Sequence, residues 1–366
     1  MLGSQSLIGD KVKILCFGAG GFIGSHLSHR LLSDGHSLIG LDTHADKVEN
    51  MIGHDRLTFI EKDIRANDLD LDRLIREAEV VIDLMAHANP GVYVERPLDV
   101  FRLNFTENLR IAEACVRHGR RLIQFSSCEV YGKTAVALLR GALPDPDNPA
   151  YATFAEETSD FILGPLNKHR WIYACAKQLL ERVLYAYGLE GKLNFTIIRP
   201  FNFIGPKIDY LPSEAPGIPR VFSFFMEALL QGRPLPLVDG GRHRRCYCYI
   251  DDAVDCVARI MANPGGVCDG QVFNVGAPAN ETSIRDLATL MGRIYADKFA
   301  APGAPLPRTE DVPADRFYGP GYEDSDRRIP DISKARKLLD WEPKTGLREL
   351  LEITMAYYVN AGRPKR

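Results

Sequence analysis

A glycine-rich turn near the start of the chain constrains the fold more than any other feature. The apolar run at residues 13–17 ends in the turn Gly18-Ala19-Gly20-Gly21-Phe22-Ile23-Gly24, and a helical pattern continues through Leu32. A strand, a glycine turn and a helix in this order let the backbone approach a pyrophosphate and place it at a helix N-terminus. The turn therefore predicts a dinucleotide site, although its spacing is GxxGxxG rather than GxGxxG. Its candidate residues are Gly18, Gly21, Phe22, Ile23 and Gly24.

A carboxylate after the second predicted strand indicates which dinucleotide is bound. The strand at residues 37–41 leads into Asp42, which follows Gly24 by eighteen residues. A carboxylate at this place accepts hydrogen bonds from the ribose hydroxyls and repels a 2'-phosphate, so NAD is favoured over NADP. A turn or capping aspartate is the alternative. The third strand, residues 57–60, leads to Asp63 and Ile64, which we place at the adenine edge.

The remaining pattern predicts a doubly wound parallel Rossmann sheet with a smaller C-terminal α/β substrate lobe. Further strands are predicted at residues 79–85, 121–125 and 194–199, and an amphipathic helix at 97–118 contains Asn104, a candidate cofactor contact. After residue 200 the pattern changes, with helices at 218–231, 283–297, 332–339 and 347–360 and a strand at 271–275. We assign residues 12–200 to an NAD-binding domain and 201–366 to a nucleotide-sugar lobe, allowing exchange of some elements between them.

A tyrosine and a lysine four residues apart indicate proton transfer. Tyr173 and Lys177 lie in a predicted helix that runs to about residue 187, so they share one face. A phenol titrates near pH 10, and a neighbouring ammonium favours the phenolate, which can then take a proton from a sugar hydroxyl. Without the glycine turn, a half-buried aromatic beside a solvated lysine would be the better interpretation.

The end of the fifth strand supplies three more candidate residues. Ser127 is placed to hydrogen-bond the hydroxyl that Tyr173 deprotonates, and Cys128 and Glu129 offer a thiol and a carboxylate to other substrate carbons. The alternatives are an inert buried cysteine and a surface glutamate. The position at the C-terminal edge of a core strand, opposite the glycine turn, favours the functional interpretation.

Composition excludes several classes of function. The net charge of -3 over 366 residues gives no general attraction to nucleic acid or to acidic membranes, and no run of 18 apolar residues exists. The eight cysteines contain no CxxC pair, so we expect reduced thiols and a cytoplasmic protein. Cys246 and Cys248 share a strand face, but two further ligands cannot be assigned, and no metal site is predicted.

Charged and loop segments after the fifth strand complete the candidate site. Residues 133–168 are rich in Pro, Asp and Glu and are predicted to form a long excursion over the site. The basic turn at 240–245 suits a diphosphate, with a solvated face as the alternative. Residues 325–328 are predicted to form a charged loop that closes over the same site.

Taken together, these residues resemble the extended short-chain dehydrogenase/reductases, which act on nucleotide sugars. The longer motifs SCEVYGKT at 127–134, RWIYACAKQL at 170–179, RPFN at 199–202 and DSDRRIPD at 324–331 look like the UDP-apiose/UDP-xylose synthases. They are also similar, somewhat less closely, to the UDP-glucuronate decarboxylase domain of bacterial polymyxin-resistance enzymes. The similarity runs from about residue 12 to the C-terminal helix.

The resemblance implies oxidation of UDP-glucuronate at C4 by NAD, followed by decarboxylation, ring contraction and re-reduction to UDP-apiose or UDP-xylose. Arg170 and Arg328 match family arginines at the carboxylate end of the sugar, and Glu129 matches a carboxylate that transfers protons. Cys128 matches a cysteine implicated in ring opening and aldol reclosure. By the same resemblance, Asn202, Arg245 and Tyr322, together with Arg328, contact the nucleotide sugar, and the enzyme is a homodimer.

One departure from the resemblance leaves the product open. Plant UDP-apiose synthases place a second cysteine where this chain has Ala88, and the polymyxin-type decarboxylases have an alanine there. A decarboxylase that stops at a UDP-4-keto-pentose or UDP-xylose is therefore an alternative. A nucleotide-sugar 4-epimerase or 4,6-dehydratase shares the Tyr173 and Lys177 machinery. A non-catalytic NAD sensor would be expected to lack one of those two residues.

Overall fold

A seven-stranded parallel sheet forms the centre of the fold. The computed structural model describes residues 11–139, 142–214, 220–303, 305–318 and 323–360. Its strands are β1 (Lys13–Phe17), β2 (Ser37–Asp42), β3 (Leu57–Glu61), β4 (Val80–Asp83), β5 (Arg121–Phe125), β6 (Thr153–Phe154), β7 (Phe195–Pro200), β8 (Phe203–Ile204), β9 (Leu235–Val238), β10 (Arg244–Cys246), β11 (Cys248–Tyr249), β12 (Gln271–Val275), β13 (Glu281–Ser283), β14 (Thr309–Val312) and β15 (Arg327–Pro330). The large sheet has the order β12-β7-β5-β4-β1-β2-β3, and all its neighbours are parallel. The predicted doubly wound fold is confirmed.

Helices cover both faces of this sheet. They are α1 (Phe22–Ser33), α2 (Leu71–Glu77), α3 (Pro90–Glu95), α4 (Pro97–Phe101), α5 (Asn108–His118), α6 (Ala135–Leu138), α7 (Ile172–Leu189), α8 (Val221–Leu230), α9 (Ile250–Ala262), α10 (Ile284–Lys298), α11 (Ala314–Tyr318), α12 (Ser333–Leu339) and α13 (Leu347–Asn360). Helices α1 and α9 pack together on one face, and α2, α5 and α7 on the other. Among the described helices, none has the length and apolar character needed to cross a bilayer.

Strand β1 shows why the sheet needs two helical layers. Ile14 and Cys16 belong to the core under α1 and α9, whereas Leu15 and Phe17 belong to the core under α2, α5 and α7. Successive side chains of a strand point to opposite faces, so an uninterrupted apolar strand must be buried on both. This arrangement brings the C-terminal ends of β1, β4 and β5 to one edge, where the candidate site lies.

A smaller four-stranded sheet, ordered β13-β10-β15-β6, forms the other wall of the site. The prediction of a loop at residues 325–328 is wrong for its second half, because Arg327 and Arg328 begin β15 and pair with β10 in parallel. Elements cross the boundary that we predicted at residue 200. Strand β12 completes the large sheet, while β6 belongs to the small one.

Three local features differ from the predicted pattern. The helix predicted at residues 97–118 contains a π-helical segment, Arg102–Glu107, between α4 and α5. The loop after β4 continues into the short helix α3, which the pattern did not indicate. The predicted excursion at 133–168 contributes β6 and a bridge between Gly132 and Ile162, so it is tied to the small sheet. The helix predicted at 218–231 is α8, and its first two predicted residues lie outside the described residues.

Candidate active site

A cavity of about 490 Å³ lies between the two sheets. Its lining combines the end of β5, the start of α7, the loop after β7 and the small sheet. Ser127, Cys128, Glu129, Arg170 and Tyr173 all line it. Asn202, Arg245 and Arg328 line it from the opposite lobe, so Cys128 and Arg328, which are 200 positions apart in sequence, meet in one space.

The glycine turn is built for close backbone contact. Gly18 has a φ of +78°, and a Cβ on Gly24 would lie 2.1 Å from the carbonyl oxygen of Gly18. Helix α1 begins at Phe22 with Gly21 as its N-cap, and within the described chain no side chain caps its first turn. The free N–H groups of such a helix end favour an anion. Ile23, in the same turn, faces the cavity.

Asp42 lies directly beside this turn. Its side-chain oxygens accept hydrogen bonds from the backbone N–H groups of Gly20 at 2.9 Å and Thr43 at 2.7 Å. Burial raises the pKa of Asp42, and these backbone donors oppose the shift. The carboxylate is thus held at the end of β2, next to the start of α1. This geometry suits a ribose, and the turn, the helix end and Asp42 together fit a dinucleotide.

The other predicted cofactor residues have different surroundings. Asp63 is half-buried and pairs with Arg65, whose guanidinium holds the pKa of the carboxyl below its usual range. Ile64 is buried in the core. The Asn104 amide lies in the π-helical segment and exchanges two hydrogen bonds with the backbone of His87, at 2.8 and 3.0 Å. Asn104 therefore fixes the loop after β4, and its direct contact with the cofactor stays a prediction.

Tyr173 is enclosed at the cofactor side of the cavity. Its ring stacks on that of Tyr93, with centroids 4.5 Å apart and planes inclined by 7°. Burial raises the pKa of the Tyr173 hydroxyl, and a hydrogen bond with Ser127 acts in the opposite direction. Ser127 thus contacts the phenol itself, and it also caps the following turn by accepting from the N–H of Glu129. Its hydrogen bond to the substrate hydroxyl stays a prediction.

Lys177 lies one helical turn beyond Tyr173 and is fully buried. Its ammonium donates to Asn108 Oδ1 at 3.1 Å and to the carbonyl oxygen of Phe125 at 3.0 Å. Burial lowers its pKa to about 8, against the attraction of Asp83 and Glu181. The side chain is therefore anchored to the edge of the sheet beneath the cavity rather than exposed to solvent.

Cys128 and Glu129 occupy a 3-10 turn, Cys128–Tyr131, that follows β5. Burial raises the pKa of the Cys128 thiol, and the Arg328 guanidinium, 3.8 Å from its sulfur, opposes that shift. Glu129 accepts two hydrogen bonds from Arg170, at 2.6 and 3.1 Å. Glu129 is therefore not a surface glutamate, since its side chain is held by Arg170 within the cavity. Cys128 is buried beside Arg328, and its functional role stays a prediction.

Three arginines and two carboxylates form a polar cluster in the cavity. Asp324 joins the arginines: its oxygens lie 2.7 Å from Arg245, 2.9 Å from Arg328 and 3.4 Å from Arg170. The three positive charges hold the pKa of the Asp324 carboxyl far below its usual range. With Glu129 as the second carboxylate, the cluster carries one excess positive charge. An excess cation beside a cavity favours an anionic ligand.

The basic turn contributes less to the cavity than its sequence predicted. Arg244 is exposed on one side and pairs with Glu281, so the solvated-face alternative holds for this residue. Arg327 from β15 pairs with the same glutamate and is half-buried. Arg245 and His243 line the cavity. Asn202 also lines it and donates to the carbonyl oxygen of Cys246 at 3.3 Å. Tyr322, the remaining predicted substrate contact, lies outside the described residues.

Sequence reasoning missed the roles of three neighbours. The motif at 324–331 contains Asp324 but gave no sign that this residue joins all three arginines. Tyr93 stacks on Tyr173 from a helix that the pattern did not indicate. Glu323 binds Lys133 and Trp171, at 2.7 and 2.9 Å, and ties the excursion to the site. The charged run at 323–328, three acidic residues followed by two arginines, was the one sequence signal that pointed toward Asp324 and Glu323.

The fold and the site define a dinucleotide-dependent enzyme whose cavity lies between two sheets. Residues 14–276 match the family described as NAD dependent epimerase/dehydratase, and the chain belongs to that family. Its cofactor is NAD. The predicted resemblance to extended short-chain dehydrogenase/reductases is confirmed by this match.

Individual proteins of known name show which members of the family this chain is similar to. UDP-D-apiose/UDP-D-xylose synthase 1 of Arabidopsis thaliana is 44% identical over 354 residues, covering 94% of this chain and 90% of the relative. PbgP3 from Burkholderia pseudomallei has 34% sequence identity to this chain, and its crystal structure matches with a TM-score of 0.80 over 96% of this chain and 97% of PbgP3. A UDP-glucuronic acid 4-epimerase from Bacillus cereus, solved with UDP-glucuronic acid and NAD, shares the fold at a TM-score of 0.76, 23% identity and coverage of 94% and 98%.

Proposed function

We propose that this enzyme converts UDP-glucuronate into UDP-apiose, UDP-xylose or both, through NAD-dependent oxidation at C4 and decarboxylation. The observation that carries the proposal is the cavity in which the Tyr173 and Ser127 pair faces a cluster with one excess positive charge. A sugar that carries a hydroxyl to be oxidised and a carboxylate fits this cavity, with the hydroxyl at Tyr173 and the carboxylate at the arginine cluster. The similarity to a plant UDP-apiose/UDP-xylose synthase over 94% of the chain supports the same substrate.

In the first step Tyr173 accepts the proton of the C4 hydroxyl. Ser127 hydrogen-bonds the same oxygen, and the Lys177 ammonium favours the phenolate electrostatically. Bound NAD would supply the hydride acceptor for C4 and the hydride donor for the later reduction, so the overall conversion would need no external oxidant. The stacking of Tyr173 on Tyr93 fixes the ring that performs the proton transfer.

In the second step the chain assists the loss of carbon dioxide. A keto group at C4 makes the C6 carboxylate that of a β-keto acid, so the C5–C6 bond breaks and its electron pair enters an enolate. Arg170 and Arg328 bind the carboxylate before it leaves. Glu129, held by Arg170, transfers the proton at the ring carbons.

Ring contraction is assigned to Cys128. The thiolate, once formed next to Arg328, acts as a base for opening between C2 and C3 and for aldol reclosure. Ala88 lines the same cavity as Cys128 and brings no thiol of its own. That alanine favours the second candidate function, a decarboxylase that yields only UDP-4-keto-pentose or UDP-xylose.

The nucleotide end of the substrate is assigned to the opposite wall. Asn202 and Arg245 line the cavity from the sugar lobe, with Arg245 within 2.7 Å of Asp324. A guanidinium and an amide on this wall are suited to the diphosphate and uridine. The assignment of Tyr322 to the same role rests on the family resemblance.

A cytoplasmic homodimer completes the proposal. All eight cysteines are free thiols, which suits a reducing compartment. The packed helices α4 and α7 expose apolar side chains, with Leu98 at 66%, Leu179 at 46% and Leu189 at 74% of their areas. Covering these side chains with a second copy would remove them from water.

The deciding experiment is incubation of the purified enzyme with UDP-glucuronate and NAD. Release of carbon dioxide and a branched furanose nucleotide, or its cyclic phosphate breakdown product, identified by NMR, is the expected result. UDP-xylose or the 4-keto-pentose alone would leave only the decarboxylase. A carboxylate-bearing product without carbon dioxide would instead identify an epimerase and overturn the proposal.

A further inference from the structure

A buried carboxylate beneath the cavity has no place in the mechanism above. Asp83, the last residue of β4, is 0% exposed. Its oxygens accept hydrogen bonds from Gln124 Nε2 at 3.0 Å and from the backbone N–H of Met85 at 2.9 Å. Both donors are neutral. A fully buried carboxylate requires either a counter-charge or a proton.

A chain of hydrogen bonds connects this carboxylate to Lys177. The N–H of Met85 donates to Asp83, and the carbonyl oxygen of the same Met85 accepts from Asn108 Nδ2 at 3.3 Å. Asn108 Oδ1 in turn accepts from the Lys177 ammonium at 3.1 Å. The π-helical segment ends immediately before Asn108, and this places the amide between the strand end and the ammonium. The backbone N–H and carbonyl of one residue, together with one side-chain amide, therefore link the two charges.

The other groups around Lys177 cannot replace Asp83. Glu181, on the same helix, is already paired with Arg199 through two hydrogen bonds of 2.7 and 3.0 Å. The thiols of Cys16 and Cys115 lie near Asp83 and are buried, and burial together with Asp83 raises the pKa of each thiol, so both stay neutral. Tyr173 is uncharged while its hydroxyl keeps its proton. In the described part of the chain, Asp83 is the carboxylate near Lys177 that makes no direct ion pair.

We propose that Asp83 is the buried counter-ion of Lys177 and a positioning residue for the Tyr173 and Lys177 pair. Its negative charge keeps the ammonium protonated, and the link through Met85 and Asn108 holds the ammonium beneath the cavity that Tyr173 lines. Attraction between the two groups is strong because both lie away from water. The pKa of Lys177, about 8, reflects this balance between burial and the pull of Asp83. The catalytic consequence rests on the proposed function, whereas the charge pairing does not.

The opposing possibility is that Asp83 carries a proton and acts only as a neutral hydrogen-bonding group. Burial raises the pKa of Asp83, and Lys177 lowers it. D83N distinguishes the two cases. The asparagine amide has the shape of a protonated carboxyl group but cannot carry a negative charge, so the substitution matters only if Asp83 is ionised. Gln124 Oε1 is buried without a hydrogen-bond partner among the described residues. Turning the Gln124 amide over would let that oxygen accept from the new amide, so D83N removes charge with little change in packing.

The first experiment is a thermal double-mutant cycle in the absence of substrate. Midpoints are measured at pH 7 for the unmodified enzyme, D83N, K177M and D83N/K177M. Each single variant leaves one buried charge without its partner, so we expect both to unfold several degrees lower. The double variant should recover part of that loss, giving clear non-additivity. An unchanged midpoint for D83N, or additive shifts, would mean a neutral Asp83 and would overturn the proposal.

The second experiment follows NAD reduction by UDP-glucuronate as a function of pH. Without Asp83 the Lys177 ammonium loses its proton more readily, so the alkaline decline of activity should move down by about one pH unit in D83N. C115A is the matched control, because Cys115 is buried near Asp83 but carries no charge. It should lower the midpoint of unfolding and leave the pH profile in place. A D83N profile that coincides with that of the unmodified enzyme would refute the positioning role.

Failure of the proposed function can be distinguished from failure of the charge pairing. If the unmodified enzyme does not act on UDP-glucuronate, the proposed function fails. The thermal cycle still decides whether Asp83 and Lys177 form a charge pair, since it requires neither substrate nor cofactor.

Discussion

Glu129 and Arg170 form a two-pronged ion pair inside the cavity, with Nη1–Oε2 at 2.6 Å and Nη2–Oε1 at 3.1 Å. The arginine side chain is 1% exposed and the glutamate 16%. The pair joins the turn after β5 to the start of α7, so it fixes a carboxylate beside the substrate while the helix supplies Tyr173. Catalytic geometry and fold stability are thus linked at one contact.

Removing the Glu129 charge should separate these two contributions. E129Q keeps the shape and one acceptor for Arg170, so we expect a modest loss of stability and a fall in carbon dioxide release of about 10²–10⁴-fold, typical of a lost acid–base group. R170M should instead destabilise the protein by about 3–5 kcal/mol, because it leaves Glu129 without its partner. Turnover rates and thermal midpoints of both variants test this, and equal activity of E129Q and the unmodified enzyme would contradict it.

Replacing the Tyr173 hydroxyl should stop the first oxidation. Y173F preserves the stacking on Tyr93 and removes only the proton acceptor, so NAD reduction should fall by about 10²–10⁴-fold with NAD affinity unchanged. Absorbance of the reduced cofactor and equilibrium binding measure the two quantities. Y185F, on the exposed side of the same helix, is the matched control and should be fully active.

Coenzyme preference should depend on Asp42. D42S removes a charged acceptor for the ribose hydroxyls, worth about 1.5–3 kcal/mol, so NAD affinity should fall about 10–100-fold while that for NADP improves. Calorimetric titration of both dinucleotides measures this shift. Glu61 pairs with Asp42 in the sheet and is exposed, so E61Q should leave both affinities unchanged. Equal weakening of both dinucleotides in D42S would argue against a role in preference.

The product should depend on position 88. A88C adds a second thiol to the cavity that contains Cys128, and we expect the ratio of UDP-apiose to UDP-xylose to rise about tenfold, or about 1.4 kcal/mol. NMR of the nucleotide sugars measures the ratio. A88S is the control of similar size, and the same ratio in A88C and A88S would rule out thiol chemistry at this position.

Stability should depend on Asp324 in a pH-dependent manner. Its pKa in the folded state lies far below the unfolded value, so the carboxylate stabilises the fold above about pH 4 and this contribution is lost as the pH falls further. D324N should cost about 3–5 kcal/mol at neutral pH, because three arginines lose their common partner. The difference in thermal midpoint between D324N and the unmodified enzyme should shrink below about pH 4. A constant difference from pH 7 to pH 3 would contradict the assignment.

The amino-acid sequence by itself determined the parts of this protein that depend on local order. The glycine turn between β1 and α1, and the spacing of Tyr173 and Lys177 along α7, follow from periodicity and turn chemistry within short windows. The parallel sheet follows as well, because apolar strands alternating with helices can be buried in few other ways.

Only the tertiary structure decided which charges meet. Arg170 and Asp324 are separated by 154 positions, and Asp83 and Lys177 come from different elements that the sheet edge brings together. The π-helical segment that orients Asn104 and Asn108 leaves the same apolar pattern as an ordinary helix, so periodicity does not reveal it. Contacts of this kind depend on how remote segments pack, and the packing free energy is a property of the whole fold rather than of any one segment.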